Sequence, residues 1–233
     1  MKRTISILVI IAMMLASVLA IIPVGATEGA EGGDSVVEDT TPVGTAVATA
    51  DEFKAAVEAG KDFHLTANII LPADWAPKDF GATFDGNGKT ITFVGTAGLF
   101  NVLKSATIKN VTLLGETELT SGIATNAEGD VRFESVTVGV TSIKGANVSA
   151  FVGGATKANL TFVNCANRAF VNGTNTAGAF AGWTSGSSNV VIEGCRNYGN
   201  INAPYAGGYI GAAQGASVTI KNSINGTEAA PVV

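Results

Sequence analysis

Beyond residue 60 the chain alternates apolar and polar residues over short runs rich in Val, Ile, Thr and Phe, broken by Gly and Asn. This period of two predicts short β-strands and turns to the end of the chain. One segment follows another rule. Thr49-Ala50-Asp51-Glu52 is a capping box, Phe53, Ala56 and Val57 fall on one helical face, and Gly60 follows as a stop. A single short helix is predicted over Ala50–Ala59.

The strands repeat. Ala150-Phe-Val-Gly153, Ala179-Phe-Ala-Gly182 and Gly208-Tyr-Ile-Gly211 recur at a spacing of about 29 residues. Each is followed by a polar turn and a second strand, Leu160–Cys165, Val190–Cys195 and Val218–Ser223. Weaker copies open at Gly98 and Gly122. Ile108, Phe133, Phe162, Ile192 and Ile220 then form one apolar column across the repeats. The β-branched, Gly-rich composition excludes helical repeats, and there is no leucine ladder of the leucine-rich type. The expectation is an all-β fold, a right-handed parallel β-helix whose coils lay strands against those of their neighbours, with the helix capping its N-terminal end.

Residues 1–26 open with Lys2 and Arg3, continue in an apolar run from Ile5 to Ile22, and close on Val24-Gly25-Ala26. This is the pattern of a cleaved export signal; the rival reading is an uncleaved anchor. Residues 27–48 hold five acids, no cation and no hydrophobic period, and read as a disordered linker. Residues 49–233 form the repeat domain. The localisation expected is secreted or cell-surface, with no membrane span once the signal is removed.

Only 14% of the 233 residues are charged, and 14 Lys+Arg against 19 Asp+Glu leave a net charge of −5, so nucleic acid is not an expected partner. The single histidine, His64, and two cysteines make no metal site, and no cofactor is expected.

Phe84-Asp-Gly-Asn-Gly-Lys-Thr-Ile91, Gly98-Leu-Phe100, Ala106-Thr-Ile-Lys-Asn-Val-Thr-Leu113 and Gly194-Cys-Arg-Asn-Tyr-Gly199 resemble secreted bacterial β-helix proteins with GLUG-like repeats, broadly of pectin-lyase-like fold. The resemblance implies an extracytoplasmic surface or adhesive module, or a polysaccharide-cleaving enzyme; fold does not choose between them.

Several residues invite chemistry. Trp75, Trp183, Tyr198 and Tyr205 are candidates for stacking on a sugar ring, Trp183 because sister coils carry Gly154 and Ala212 there, and Tyr198 because it replaces Arg168 at an outward turn. Asp130, Arg132 and Glu134 share the outer face of one strand and would suit a calcium-dependent polysaccharide lyase; cross-strand pairing of Glu134 with Lys109 and of Glu193 with Lys221 is the structural alternative. Asn167, Asn197 and Asn225 share a register, as an amide ladder at a left-handed corner would require. Cys165 and Cys195 share another, as buried reduced thiols or, alternatively, as an inter-coil disulfide. Gly88-Lys-Thr90 mimics a phosphate loop but has Thr83 where the leading glycine belongs, so Asp85–Thr90 reads as a hairpin-like corner.

The function expected is a non-enzymatic module for adhesion or carbohydrate binding, with a glycan or cell-surface component as partner. A lyase and a purely structural self-assembling segment are the alternatives. Because the last coil carries no capping helix, the expectation is either end-to-end association through it or a longer relative of which this chain is a shortened form.

Overall fold

A computed structural model describes residues 42–226 and the backbone of 231–232. The signal at 1–26 and the linker up to residue 41 lie outside the described residues. The chain from there on is a parallel β-solenoid of about five turns with one short helix.

The helix, α1, spans Ala50–Ala59. Thr49 Oγ1 accepts from the Glu52 amide at 3.2 Å, and Glu52 Oε2 accepts from the amides of Thr49 and Ala48 at 3.1 and 2.7 Å. These bonds satisfy donors that a helix start leaves orphaned. Gly60, at φ 61°, ends the helix in the left-handed conformation. Phe53 and Val57 are buried, with the Phe53 ring 5.4 Å from Phe63 and 5.5 Å from Phe84. The helix therefore closes the N-terminal end of the coil stack.

The linker boundary needs a correction. Thr45–Val47, placed in the 27–48 linker by composition, is a strand parallel to Phe63–Leu65, with Val47 buried. Three residues are too few to show a period. The partner strand, not local sequence, makes this one.

From there the strands stack in register in a 17-stranded and a six-stranded sheet. The predicted column holds residue for residue: Ile108 pairs with Phe133, Phe133 with Phe162, Phe162 with Ile192 and Ile192 with Ile220. Phe84 and Phe63 extend it toward α1. The Phe133 and Phe162 rings stack at 5.1 Å with 4° between their planes. A second column stacks Phe151 on Phe180 at 5.0 Å and Phe180 on Tyr209 at 6.0 Å. Each fully buried Phe contributes about 1.5–3 kcal/mol of transfer free energy. The glycine of the Phe-x-Gly repeat is imposed by close approach: a Cβ on Gly182 would lie 2.6 Å from the Gly153 carbonyl oxygen and 2.7 Å from that of Val148.

Two corners repeat a left-handed residue. Asn110, Ser135, Asn164, Gly194 and Asn222 form one column at φ of 50–63°, and Ser105, Gly129, Lys157, Gly186 and Gly215 form the other at 50–74°. Asn, Ser and Gly suit such positions for different reasons, Gly by lacking Cβ and Asn by local amide bonding. The Asp85–Lys89 segment is likewise a corner, not a hairpin. It bulges inside the single strand Thr83–Phe93, which runs parallel to Thr107–Leu119 on both sides of the bulge.

At the C-terminal end Val218 and Ile220 are 38% and 45% exposed, although Val190 and Ile192 beneath them are fully buried. The backbone of Pro231–Val232 runs antiparallel to Ile224–Gly226.

Candidate functional site

The side chains that point away from the core align as strictly as those that point into it. Arg168 follows Asn167 and Tyr198 follows Asn197, and Asn167 pairs with Asn197 across the rung. The Arg168 guanidinium carbon lies 5.0 Å from the centre of the Tyr198 ring. Two positions on, Phe170 is 40% exposed and pairs with Ser142, while its neighbour Val171 pairs with Ile201. That register places Asn200 beside Phe170. Two further, Asn172 pairs with Lys144 on one side and Asn202 on the other, and Asn202 Nδ2 donates to Asn172 Oδ1 at 2.8 Å. Arg196 is exposed and opens the two-residue strand Arg196–Asn197 that immediately precedes Tyr198.

Three rungs about 4.8 Å apart thus present an outer patch of three cations, Lys144, Arg168 and Arg196, two rings, Phe170 and Tyr198, and a set of asparagine amides. Tyr198, Asn200 and Ile201 also line a hollow of about 310 Å³, together with Asn197, Asn225 and Gly208. Toward the N-terminal coils the row continues through Gly139 to Leu114, whose Cδ2 leans over Gly139. Glu118, which accepts from Ser142 Oγ at 3.3 Å, and the exposed Glu116 are acids on the adjoining strand. Rings offer faces for stacking, amides offer donors and acceptors for hydrogen bonds, and guanidinium groups attract anions.

The aromatic candidates separate. Trp75 is turned inward, away from any outer face. It is 7% exposed, its Nε1 donates to the Leu99 carbonyl at 3.1 Å, and its ring packs 5.5 Å from Phe53. Its place is beneath α1, where a large ring fills the end of the stack. Trp183 is half-buried on the other sheet, in register between Gly154 and Ala212. Tyr205 is 64% exposed and pairs with Thr176. Tyr198 alone of the four belongs to the patch.

Asp130, Arg132 and Glu134 do share one outer face, but the charges are engaged with neighbours. Arg132 Nη2 donates to Glu134 Oε2 at 2.9 Å, and Asp130 Oδ1 accepts from Asn159 Nδ2 at 2.7 Å. Lys109 is in register with Glu134, as expected, yet its ion pair goes to Asp85 at 3.3 Å. Asp85 is 6% exposed and also accepts from the Asn87 amide at 2.8 Å and Asn110 Nδ2 at 3.1 Å. Its carboxylate pins the bulged corner. Among the described residues no group of three His, Cys, Asp or Glu is arranged to hold a metal ion.

The two ladders are internal. Asn167 Nδ2 donates to Asn197 Oδ1 at 2.9 Å, and Asn197 Nδ2 to Asn225 Oδ1 at 2.8 Å. Their backbones are not left-handed, which corrects the sequence expectation; the left-handed residues are Asn164, Gly194 and Asn222, three positions earlier in each coil. Cys165 and Cys195 are free and buried. The Cys165 amide donates to Cys195 Sγ at 3.4 Å, and each thiol donates to a carbonyl two residues back at 3.3 Å. Burial pushes the Cys165 thiol far above its ordinary range.

The patch residues missed by sequence reading are Phe170, Arg168, Arg196 and Lys144. The signal was present. Residues 135–226 hold five cations, Lys144, Lys157, Arg168, Arg196 and Lys221, against one acid, Glu193, in a chain whose net charge is −5.

No family model and no curated protein matches the chain. A solved structure of a putative immunoglobulin A1 protease from Bacteroides ovatus is similar in fold, with a TM-score of 0.53 and 13% identity over 81% of this chain and 78% of that one. At that identity the likeness shows a shared β-solenoid. The GLUG-like and pectin-lyase-like assignments do not emerge from these comparisons.

Proposed function

We propose that this protein is an exported, non-enzymatic repeat module that binds carbohydrate on a glycan or cell-surface partner. The observation that carries the reading is the outer patch, in which Tyr198 and Phe170 stand on adjacent rungs among asparagine amides and arginines. A solenoid holds such side chains on a rigid lattice, so the ring faces and amides are positioned before a ligand arrives and little ordering entropy is lost on binding. Export is part of the proposal and rests on the 1–26 signal pattern. The lyase alternative is weaker, because Arg132 and Glu134 are bonded to each other and Asp130 to Asn159.

A glycan array probed with the labelled protein tests the proposal. Binding to a defined subset of glycans, abolished by Tyr198→Ala and retained by Trp75→Phe, is the expected result. Equal binding by the Tyr198→Ala variant would place the site elsewhere.

A further inference from the structure

We infer that the C-terminal face of the coil stack is a self-association surface, and that its occupant is the same face of a second copy of this chain, related by a two-fold axis.

Both inner columns stop half-open there. Ile220 is 45% exposed and Val218 38%, above the fully buried Ile192 and Val190. Tyr209, stacked on Phe180, is half-buried, whereas Phe180 and Phe151 are sealed. The backbone is open as well. Ser217–Lys221 pairs on one side with Asn189–Glu193, and Ile210–Gln214 pairs on one side with Ala181–Ser185. Among the described residues no strand pairs with their other edges, and Pro231–Val232 pairs with Ile224–Gly226 and with neither of these strands. Unpaired amides and carbonyls beside apolar side chains form a template for another strand.

The chemistry selects the occupant. The 28 residues 199–226 carry one charged side chain, Lys221, so the face holds almost no charge to desolvate or to repel a like surface. Their number falls within the roughly 20–30 residues a side of a standard interface. The opposite end of the stack is a poor match. There α1 closes the coils and leaves Asp51, Glu52, Lys54 and Glu58 exposed, and a head-to-tail stack would bury those charges against apolar residues. The C-terminal face matches itself. Val218 and Ile220 flank Thr219, so a two-fold axis through Thr219 sets Ser217–Lys221 antiparallel to its own copy. Val218 then lies opposite the second copy's Ile220, and Lys221 lies opposite Ser217 rather than another lysine. The apolar columns of the two stacks run on into one another, and the like charges are held apart.

Sedimentation equilibrium of the full chain and of Ile220→Lys, across micromolar concentrations, measures the association. Thr219→Cys and Lys54→Cys, treated with a mild oxidant, report its geometry. The expected result is a monomer–dimer equilibrium, at least about tenfold weaker in Ile220→Lys, with Thr219→Cys forming a disulfide-linked dimer and Lys54→Cys forming none. Thr219 shares the outward face with Val191, so its exchange reads the geometry even where Ile220→Lys loosens the terminal coil. A monomer at every concentration would overturn the inference, and strong amide protection of Ser217–Lys221 in that monomer would assign the edge to residues 227–233 of the same chain. Open-ended growth, or a mixed disulfide between Thr219→Cys and Lys54→Cys, would overturn the two-fold arrangement in favour of head-to-tail stacking. A dimer of unchanged strength in Ile220→Lys with Thr219→Cys unlinked, as association through residues 1–26 would give, would place the contact elsewhere and overturn the inference as well.

Discussion

The guanidinium of Arg168 lies over the ring of Tyr198, 5.0 Å from its centre, with the two residues on adjacent rungs at the same outward position. The repeat thus replaces a cation by an aromatic from one coil to the next and stacks the two. Cation–π contacts at exposed sites are worth about 0.5–1 kcal/mol, so Tyr198→Ala is expected to leave stability nearly unchanged. A Tm shift of several degrees would mean that Tyr198 is a structural residue.

The inner columns carry the stability. Phe162 is fully buried, stacked on Phe133, with Phe151 and Phe180 at 5.6 and 5.4 Å. Phe162→Ala should destabilise the domain by about 3–5 kcal/mol. Ile220 continues the same column but is 45% exposed, and Ile220→Ala should cost well under half as much. Urea unfolding of the two variants gives the comparison; equal losses would contradict the graded burial.

Asn197 sits at the centre of the amide ladder. It donates to Asn225 Oδ1 and accepts from Asn167 Nδ2 and from the Gly199 amide at 3.2 Å. Asn197→Ala strands the buried Asn167 amide on one side and the half-buried Asn225 on the other, and is expected to cost about 1–3 kcal/mol. Hydrogen exchange should show the loss at the Gly199 amide first. An unperturbed Gly199 would show that water replaces the side chain at no cost.

How much of this was legible in the sequence depends on which face of the strand is considered. Inward residues announce themselves: Phe133, Phe162 and Ile192 recur among polar neighbours, and their pairing follows from the period alone. Outward residues obey the same register without an apolar signature, so Phe170 and Arg168 are found only when outer positions are aligned coil by coil. Trp75 misleads for the opposite reason. Its fate depends on α1 folding back over it, a contact between segments that the repeat does not encode. The strand Thr45–Val47 was hidden because the acidic composition around it outweighed three residues.

The thiols give a chemical test of the core. Burial raises the Cys165 thiol, and Cys195 lies against the Cys165 amide at 3.4 Å. In the folded protein at pH 8, iodoacetamide should label neither cysteine, because attack requires an accessible thiolate. Both should label after denaturation. Rapid native labelling would show that the coils around residues 165 and 195 open readily.

The capping box has a pH signature. Amide bonds from Ala48 and Thr49 hold the Glu52 carboxyl below the ordinary carboxylate range. A lowered folded pKa means that the stabilisation is complete above the unfolded pKa and is lost as pH falls through the folded pKa. Amide exchange in α1 should therefore accelerate with acid relative to the solenoid strands, after correction for intrinsic rates. In Glu52→Gln that pH dependence should disappear.

The most direct measurement is amide and side-chain chemical-shift mapping by NMR during titration with an oligosaccharide that scores on the glycan array. Perturbations confined to Lys144, the strand positions at 168–172 and those at 196–202, with the largest changes at the Tyr198 and Phe170 rings, are the predicted result. Shifts centred on Asp130, Arg132 and Glu134, or on Trp183, with the outer patch silent, would contradict it.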